Sequence, residues 1–500
     1  MDELAQEGAV FDRAYCNTPL CSPSRASMMT GQMPSELGCY DNGDDFPSSV
    51  PTFAHHLRNA GYHTALIGRM HFIGPDQHHG FEERLTTDVY PADLDMVPDW
   101  HLPLDQKLQW YHEAGSVFEA GVSKATVQQD FDDEVGFRTL RHLNDRKRAA
   151  QAAEARGEEE QPFLMVTSFI HPHDPTSPRA SIGTASRGSA SRTEAPFGAQ
   201  HRAGPAQPPA AADERFRCPG AQHRGCAPGP SGLLRGRQLY RRPRRAIRRR
   251  LEELNMAENT VIIVTSDHGD MLGEKGLWYK MSPYEQSSRV PLIVGGPQHL
   301  VESGAVPKGR FATPVSLLDL LPTLLELSGA PAAEVPGQSV LEIARQESGG
   351  RIGPQDRDVV IEYLAEGTHK PQLTLVRGRY KYIVCPGDPD QLFDLETDPD
   401  ELHNIAGEPG HAETAALLRK ELDSRYDLLR LEQDVLRSQA TRRLVAESLQ
   451  RGRSVTGTST RSPSSAMSAA TSGAPWSTAR SGTPADERPG SRSRVRPGDP

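Results

Sequence analysis

No run of 18 or more apolar residues occurs in the chain, so no segment is long enough to cross a bilayer as a helix. Cysteine is scarce: Cys16, Cys21, Cys39, Cys218, Cys226 and Cys385 are too few and too scattered for a disulfide framework, and no C-x-x-C pair points to a zinc knuckle. Met1-Asp2-Glu3-Leu4 opens with neither a basic stretch nor an apolar one, so no secretory signal is expected. Apolar residues are only 36% of the 500, and the mean hydropathy of -0.58 is low for a chain that is globular throughout. The net charge of -10 argues against a nucleic-acid partner. That charge, however, averages two unlike kinds of sequence.

From about Thr176 to Arg250 the chain has 16 Arg, no Lys and 3 acids, a charge of +13. From Gly452 to Pro500 there are 7 Arg against 3 acids, embedded in Ser, Gly, Pro, Thr and Ala, a charge of +4. Removing both leaves -27 on the other 376 residues, so the remainder is strongly acidic. Neither segment shows helical or alternating periodicity, and both read as disordered. Arg, Ala, Pro, Gly and Ser without Lys is also what GC-rich codons yield out of frame. Arg241-Arg242-Pro243-Arg244-Arg245 and Arg248-Arg249-Arg250 would otherwise be a basic patch. The expected organisation is an α/β domain over 1–175 and 251–345, an anomalous segment over 176–250, a smaller unit over 346–451 and a disordered tail over 452–500.

Three short apolar runs, Phe163–Val166, Val261–Val264 and Pro291–Val294, read as buried strands of a parallel sheet. Thr313-Pro314 opens a helical pattern through Leu317, Leu321 and Leu325 that stops before Gly329. Alternating strands and helices predict an α/β fold, with ligands beyond the carboxyl ends of the strands. That rule directs attention to Ser266-Asp267-His268-Gly269-Asp270 and His171-Pro172-His173-Asp174-Pro175. After Arg357, Val359–Tyr363 and Thr374–Ile383 read as antiparallel strands, followed by one long amphipathic helix through Leu417, Leu422 and Leu431.

The most specific string is Cys21-Ser22-Pro23-Ser24-Arg25, continued to Thr30-Gly31. It resembles the sulfatase signature C-x-P-S-R-x-x-x-x-T-G, whose cysteine is oxidised to Cα-formylglycine by a maturation enzyme. The resemblance implies an alkaline-phosphatase-like α/β sandwich with a mainly parallel central sheet and a smaller C-terminal antiparallel sheet-and-helix unit. It also implies a mechanism. A hydrated aldehyde offers two hydroxyls on one carbon: one attacks sulfur to form a covalent sulfate hemiester, and the other expels sulfate as the carbonyl re-forms. Further motifs follow in family order. Arg25 resembles the arginine that supports the hydrate and the metal. Gly68-Arg69-Met70-His71 resembles G-K-x-H, with Arg69 in place of the sulfate-binding lysine, a substitution that keeps the charge and changes the geometry. Pro172-His173-Asp174-Pro175 resembles P-H-x-P, whose histidine is the proton donor to the leaving oxygen. Thr265–Asp270 resembles the metal-binding T-S-D-H-G-D, with Asp267 and His268 as ligands of a divalent cation, Ca²⁺ first and Mg²⁺ or Mn²⁺ as alternatives. Lys280 resembles the second sulfate-binding lysine.

The similarity extends to the choline-sulfatase branch through His71–Gln77, His79–Asp88, Tyr90–Asp93, Gly269–Glu274, Gln391–Leu395 and Gln433–Gln439. A quaternary ammonium calls for aromatic faces and a counter-charge, for which Trp110, Tyr111, His112 and Glu366 are the candidates. Met96 stands where that branch usually has Trp. The branch implies a small-molecule sulfate ester as substrate, best matched by choline O-sulfate, and cytoplasmic action. A homo-oligomer is compatible with it, and neither nucleic acid nor membrane is expected as a partner.

One family element has no match. The first strand, ending in an acidic pair or Asp-Gln that supplies about half of the metal ligands, would precede the helix-like Asp2-Glu3 stretch. Two readings therefore stand: a sulfatase, or a decayed relative that binds anions without turnover.

Overall fold

Short apolar runs become strands here only where a neighbour offers its backbone, and the pairings fall into two separate sheets. The computed structural model describes residues 2–90, 92–103, 126–173 and 245–451, all within the unit Met1–Gly452. The strands β1 (Ala9–Tyr15), β5 (Ile262–Thr265), β8 (Arg289–Gly295), β9 (Gly309–Phe311) and β10 (Val315–Ser316) form one sheet, ordered β10-β1-β8-β5 with β9 also on β1. The strands β2 (His63–Gly68), β3 (Glu83–Arg84) and β4 (Phe163–Ser168) form a second, parallel sheet ordered β3-β2-β4. The architecture is α/β, with parallel pairing at β1–β9, β1–β10, β2–β3 and β2–β4.

All three apolar runs are strands, and their setting differs from the expected one in two respects. The Pro291–Val294 run lies in β8, which pairs antiparallel with both β1 and β5. Every residue of β4 and β5 is half-buried rather than buried, because each is an edge strand hydrogen-bonded on one side only. The two edges lie under the same helical layer: Phe163 and Met165 of β4 and Ile262 of β5 pack with Leu143, Leu251 and Met256. No strand among the described residues pairs with the free side of either, in keeping with the family element that has no match in the sequence.

Sequence patterning marked neither β1 nor β2. Asp12-Arg13 interrupts the apolar character of β1 at a register shift between Phe11 and Ala14. At the end of β2, Gly68 has φ +109, and a Cβ there would lie 1.9 Å from the carbonyl oxygen of Ser168. A side chain at this position would push β2 off β4 where both strands enter the site.

The Thr313-Pro314 pair leads into β10, and the helix begins afterwards. Asp319 Oδ2 accepts the Ser316 N–H at 2.7 Å, a 3₁₀ turn over Leu317–Asp319 follows, and the α-helix is Leu320–Ser328. It ends at Gly329 in the left-handed conformation (φ 66). A helix over 245–253 absorbs Arg248-Arg249-Arg250. Arg248 pairs with Glu7 at 2.9 Å, Arg249 with Glu253 at 2.7 Å and Arg250 with Glu253 at 3.3 Å. That run faces carboxylates and is no basic patch. Residues 174–244 and 452–500 lie outside the described residues.

A short hairpin of β6 (Met271–Leu272) and β7 (Trp278–Tyr279) leads from the central sheet toward the C-terminal unit. That unit is an antiparallel meander of β11 (Asp358–Tyr363), β12 (Gln372–Arg377), β13 (Tyr380–Val384) and β14 (Gln391–Asp394). The expected long helix is two, Ala412–Arg425 and Leu428–Arg451, because Tyr426 takes an extended conformation at the break (φ -129). Leu418, Leu422, Leu431 and Val435 pack them onto the meander through one apolar cluster.

A fully buried cation joins the meander to the segment entering β8. Lys381 Nζ on β13 lies 2.8 Å from Glu285 Oε1 and 2.9 Å from Glu401 Oε1, and donates to the Pro283 carbonyl at 3.0 Å. Removing one partner of such a group strands the others in a low dielectric. Lys381→Ala is expected to lower unfolding free energy by about 3–5 kcal/mol, with partial recovery on adding Glu285→Gln. Urea denaturation checks both, and a loss under about 1 kcal/mol would show the cluster to be energetically neutral.

Candidate active site

Cys21 opens the Cys21–Thr30 helix and is 1% exposed. Its position follows from the sequence: Pro23 fits the first turn of a helix, where no N–H is needed. Gly31 closes the helix in the left-handed conformation (φ 68). The helix N-terminus favours negative charge at the thiol. Burial pushes the Cys21 thiol up, but Arg69, then Lys280 and His268, together with a hydrogen bond to His173, outweigh it and hold the pKa well below the ordinary value.

Four segments bring side chains to this thiol. The end of β5 delivers Asp267 and His268, and His268 Nε2 lies 3.3 Å from Cys21 Sγ. The end of β2 delivers Arg69 and His71. Arg69 is buried, lies 4.3 Å over the Tyr90 ring, and has no hydrogen-bond partner for its Nε. His71, in the left-handed backbone region (φ 52), is fixed by its own N–H donating to Asp88 Oδ2 at 2.7 Å. Its two ring nitrogens are buried outside hydrogen-bond geometry, and burial lowers its pKa despite the nearby Cys21. The segment after β4 delivers His173, whose Nδ1 lies 3.2 Å from the Tyr90 hydroxyl. The segment after β7 delivers Lys280, whose Nζ donates to His173 Nε2 at 3.0 Å.

Arg25, one helical turn after Cys21, ties these segments together. Its Nε donates to Asp267 Oδ2 at 3.0 Å, and its Nη1 donates to the Arg69 carbonyl at 2.9 Å and to Ser168 Oγ at 3.1 Å. Burial pushes Asp267 up, and Arg25 with His268 overcomes this and brings it down to about 2. Asp267 is therefore a carboxylate at any physiological pH. His268 is shifted the other way: burial lowers it, and the charges of Asp267 and Cys21 win and raise it.

The arrangement joins Cys21, Arg25, Arg69, His71, His173, Asp267, His268 and Lys280. Glu366 is buried, with Oε2 lacking a hydrogen-bond partner among the described residues. Burial, reinforced by Asp41 and Cys21 and opposed by Lys280, pushes it up to about 8, so it feels the charges of the cluster. Trp110, Tyr111 and His112 lie outside the described residues. His171 turns away to Asp132 Oδ2 at 2.7 Å. Sequence reasoning missed Tyr90 as the ring between Arg69 and His173, Asp88 as the anchor of His71, and Ser168 as an Arg25 partner. Tyr90 and Asp88 sat within resemblance strings without an assigned role, and Ser168 carried no signal.

For a divalent cation the donors fit in kind and fall short in number. Cys21, Asp267 and His268 bring ligand atoms within 4.8 Å of one another, whereas Ca²⁺ takes six to eight oxygens. Among the described residues Asp267 is the only carboxylate of that group.

The sulfatase family model matches residues 1–242, and the model for the N-sulphoglucosamine sulphohydrolase C-terminal region matches residues 273–427. The chain is 39% identical over 469 residues to the choline-sulfatase of Rhizobium meliloti, covering 90% of this chain and 86% of that protein. This chain belongs to the sulfatase family. An uncharacterized sulfatase, YidJ of Escherichia coli, is 26% identical over 452 residues, covering 86% of this sulfatase and 82% of that one. Solved structures share the fold. One is BT4656 in complex with its substrate D-glucosamine-2-N,6-O-disulfate, with TM-score 0.58 and 20% identity, covering 88% of this chain and 92% of that one. Another is the phosphonate monoester hydrolase of Silicibacter pomeroyi, with TM-score 0.58 and 21% identity, covering 85% and 89%. As a sulfatase, the chain is a sulfuric ester hydrolase of a family that uses a divalent metal and formylglycine.

The Asp267 shift has a sign that can be checked. Its pKa is about 2 when folded and about 3.9 when unfolded, so its stabilisation is complete above about pH 4 and is lost as pH falls toward 2. In metal-free sulfatase, Asp267→Asn is expected to flatten the acid loss of stability across that window, by about 2–3 kcal/mol. Urea midpoints measured against pH decide it, and an unchanged slope would mean the Arg25 pair contributes nothing.

Proposed function

We propose that this sulfatase hydrolyses choline O-sulfate to choline and sulfate at Cys21, acting in the cytoplasm. One observation carries the reading: a buried thiol at a helix N-terminus, ringed by Arg69, Lys280, His71, His173 and His268. Such a cage suits a dense anion held against a nucleophile. Cys21, oxidised to formylglycine by a maturation enzyme, supplies when hydrated the two hydroxyls that attack sulfur and then release sulfate.

Atom positions support the remaining roles in this reading. Arg69 and Lys280 neutralise the sulfate oxygens, and the unpartnered Arg69 Nε is the donor free for this task. The Tyr90 ring supports the Arg69 guanidinium, whose carbon lies 4.3 Å from its centroid. Lys280 Nζ donates to His173 Nε2, a contact that orients the imidazole which, when protonated, would deliver its proton to the leaving choline oxygen. The buried nitrogens of His71 are placed to hold the hydrate. Asp267 and His268 would hold the divalent cation, Ca²⁺ by preference, whose charge supplies Lewis-acid stabilisation of the anion.

Glu366 is the basis for choline. A carboxyl buried beside the cage and titrating at about 8 is neutral in the empty pocket at pH 7, and a bound ammonium is the charge that would ionise it. Met96 in place of a ring leaves other small or aryl sulfate esters as the competing substrate class. An inactive relative is the second reading, favoured by the short metal donor set alone.

Cys21→Ala is expected to abolish turnover of choline O-sulfate in matured protein, and EDTA to suppress it reversibly. Turnover surviving both changes would sink the mechanism, and absence of turnover in protein shown by mass spectrometry to carry formylglycine would favour the inactive relative. For substrate identity, kcat/KM on choline O-sulfate should rise as pH passes through about 8. Glu366→Gln should remove that rise and lower kcat/KM at least tenfold, with a neutral aryl sulfate unaffected. Equal losses on both esters would remove choline as the substrate.

A further inference from the structure

A second group of ligand-bearing side chains lies at the opposite end of β2. His63 begins that strand, Glu83 begins β3, and His142 projects from the Val127–Arg156 helix. One donor atom from each lies within 4.8 Å of the others. His63 and His142 have side chains only 7% and 3% exposed, and their rings stack at 5.4 Å. Nε2 of each is buried without a hydrogen-bond partner among the described residues.

The distances are those of a closing metal site rather than of hydrogen bonds. His63 Nε2 stands 3.8 Å from Glu83 Oε1, and His142 Nδ1 stands 3.7 Å from Glu83 Oε2. Both are too long for a hydrogen bond. Ligands at about 2.0–2.1 Å from a tetrahedral ion sit about 3.3 Å from one another, so the three donors, all within 4.8 Å of one another, would draw together around an ion, while His63 Nδ1 faces Glu82 Oε2 at 3.4 Å on its other side. Burial lowers the pKa of both histidines, the direction in which an imidazole becomes a ligand. The surroundings carry one nearby cation, Arg146, against the carboxylates of Glu82, Glu83 and Asp145. Glu83, 43% exposed, opens the group to solvent and leaves room for water as a fourth ligand.

We propose that His63, Glu83 and His142 form a second metal site, selective for Zn²⁺ or an ion of similar preference, that fastens the Val127–Arg156 helix to β2 and β3. Two imidazoles and a single carboxylate suit such an ion and are wrong for Ca²⁺ or Mg²⁺, which take six or more oxygens. His63 lies six residues before Arg69, about 20 Å along the strand, so the site is structural and remote from the sulfate chemistry.

The test uses the full chain carrying Cys21→Ser and His268→Asn, which removes the competing cluster. Zn²⁺ titration by calorimetry, with metal analysis after dialysis, should give one tight equivalent, a rise of several degrees in Tm, and no response to Ca²⁺. Adding His142→Gln should weaken Zn²⁺ binding at least 100-fold and cancel the rise in Tm. If that variant does not fold, Glu83→Gln, on a half-exposed side chain, should weaken binding tenfold or more. Absence of a tight equivalent, or an equivalent that survives these substitutions, would overturn the proposal. Co²⁺ absorption showing tetrahedral coordination lost with His142 would support it.

Discussion

The Arg25 guanidinium is the point on which this site depends. Asp267 follows β5, Arg69 follows β2 and Ser168 ends β4, and Arg25 bonds all three. Those strands belong to two sheets that share no hydrogen bonds. A planar cation with five donors can hold three acceptors in fixed directions, which an ammonium on a flexible stem cannot. Because Arg25 lies one turn from Cys21 on a rigid helix, the same residue that joins the sheets fixes where the thiol stands.

Charge is arranged around the thiol to one end. Arg69, Lys280 and His268 oppose a large desolvation cost and still leave Cys21 acidic, so the pocket is built to stabilise negative charge it does not yet contain. The same field keeps Asp267 ionised and acts against the protonation of Glu366 through Lys280. The pocket thus holds a strong anion cage beside a carboxyl that burial keeps neutral: Lys280 acts on both groups, and Arg69 and His268 add to it only at the thiol.

Much of this was legible before any coordinates. The Cys21–Gly31 string, the Gly68–His71 string and the Thr265–Asp270 string each sit at a strand end or helix start, where local sequence alone sets the backbone, and their side chains converge. What local sequence could not show was sheet pairing. β8 reads like a parallel strand because it is apolar on both faces, yet direction depends on how the chain returns, which no short run encodes. β1 was hidden by Asp12-Arg13, charges tolerated there because each finds a distant partner, Asp12 the Arg310 guanidinium and Arg13 the Gly378 carbonyl. Tyr90 and Ser168 escaped because their importance comes from neighbours distant in sequence. The break at Tyr426 likewise reflects burial against the meander rather than any helix-stopping residue.

Among the described residues β4 and β5 each have a strand partner on one side only. Phe163–Ser168 and Ile262–Thr265 contain no charged residue and no proline, the usual devices by which an edge discourages another strand from pairing with it. Their outward N–H and C=O groups face a half-buried apolar surface, so the amides there should exchange with solvent faster than those of β1 or β8. Those ten residues take no part in the chemistry, yet their backbone is where a further strand would add to either sheet.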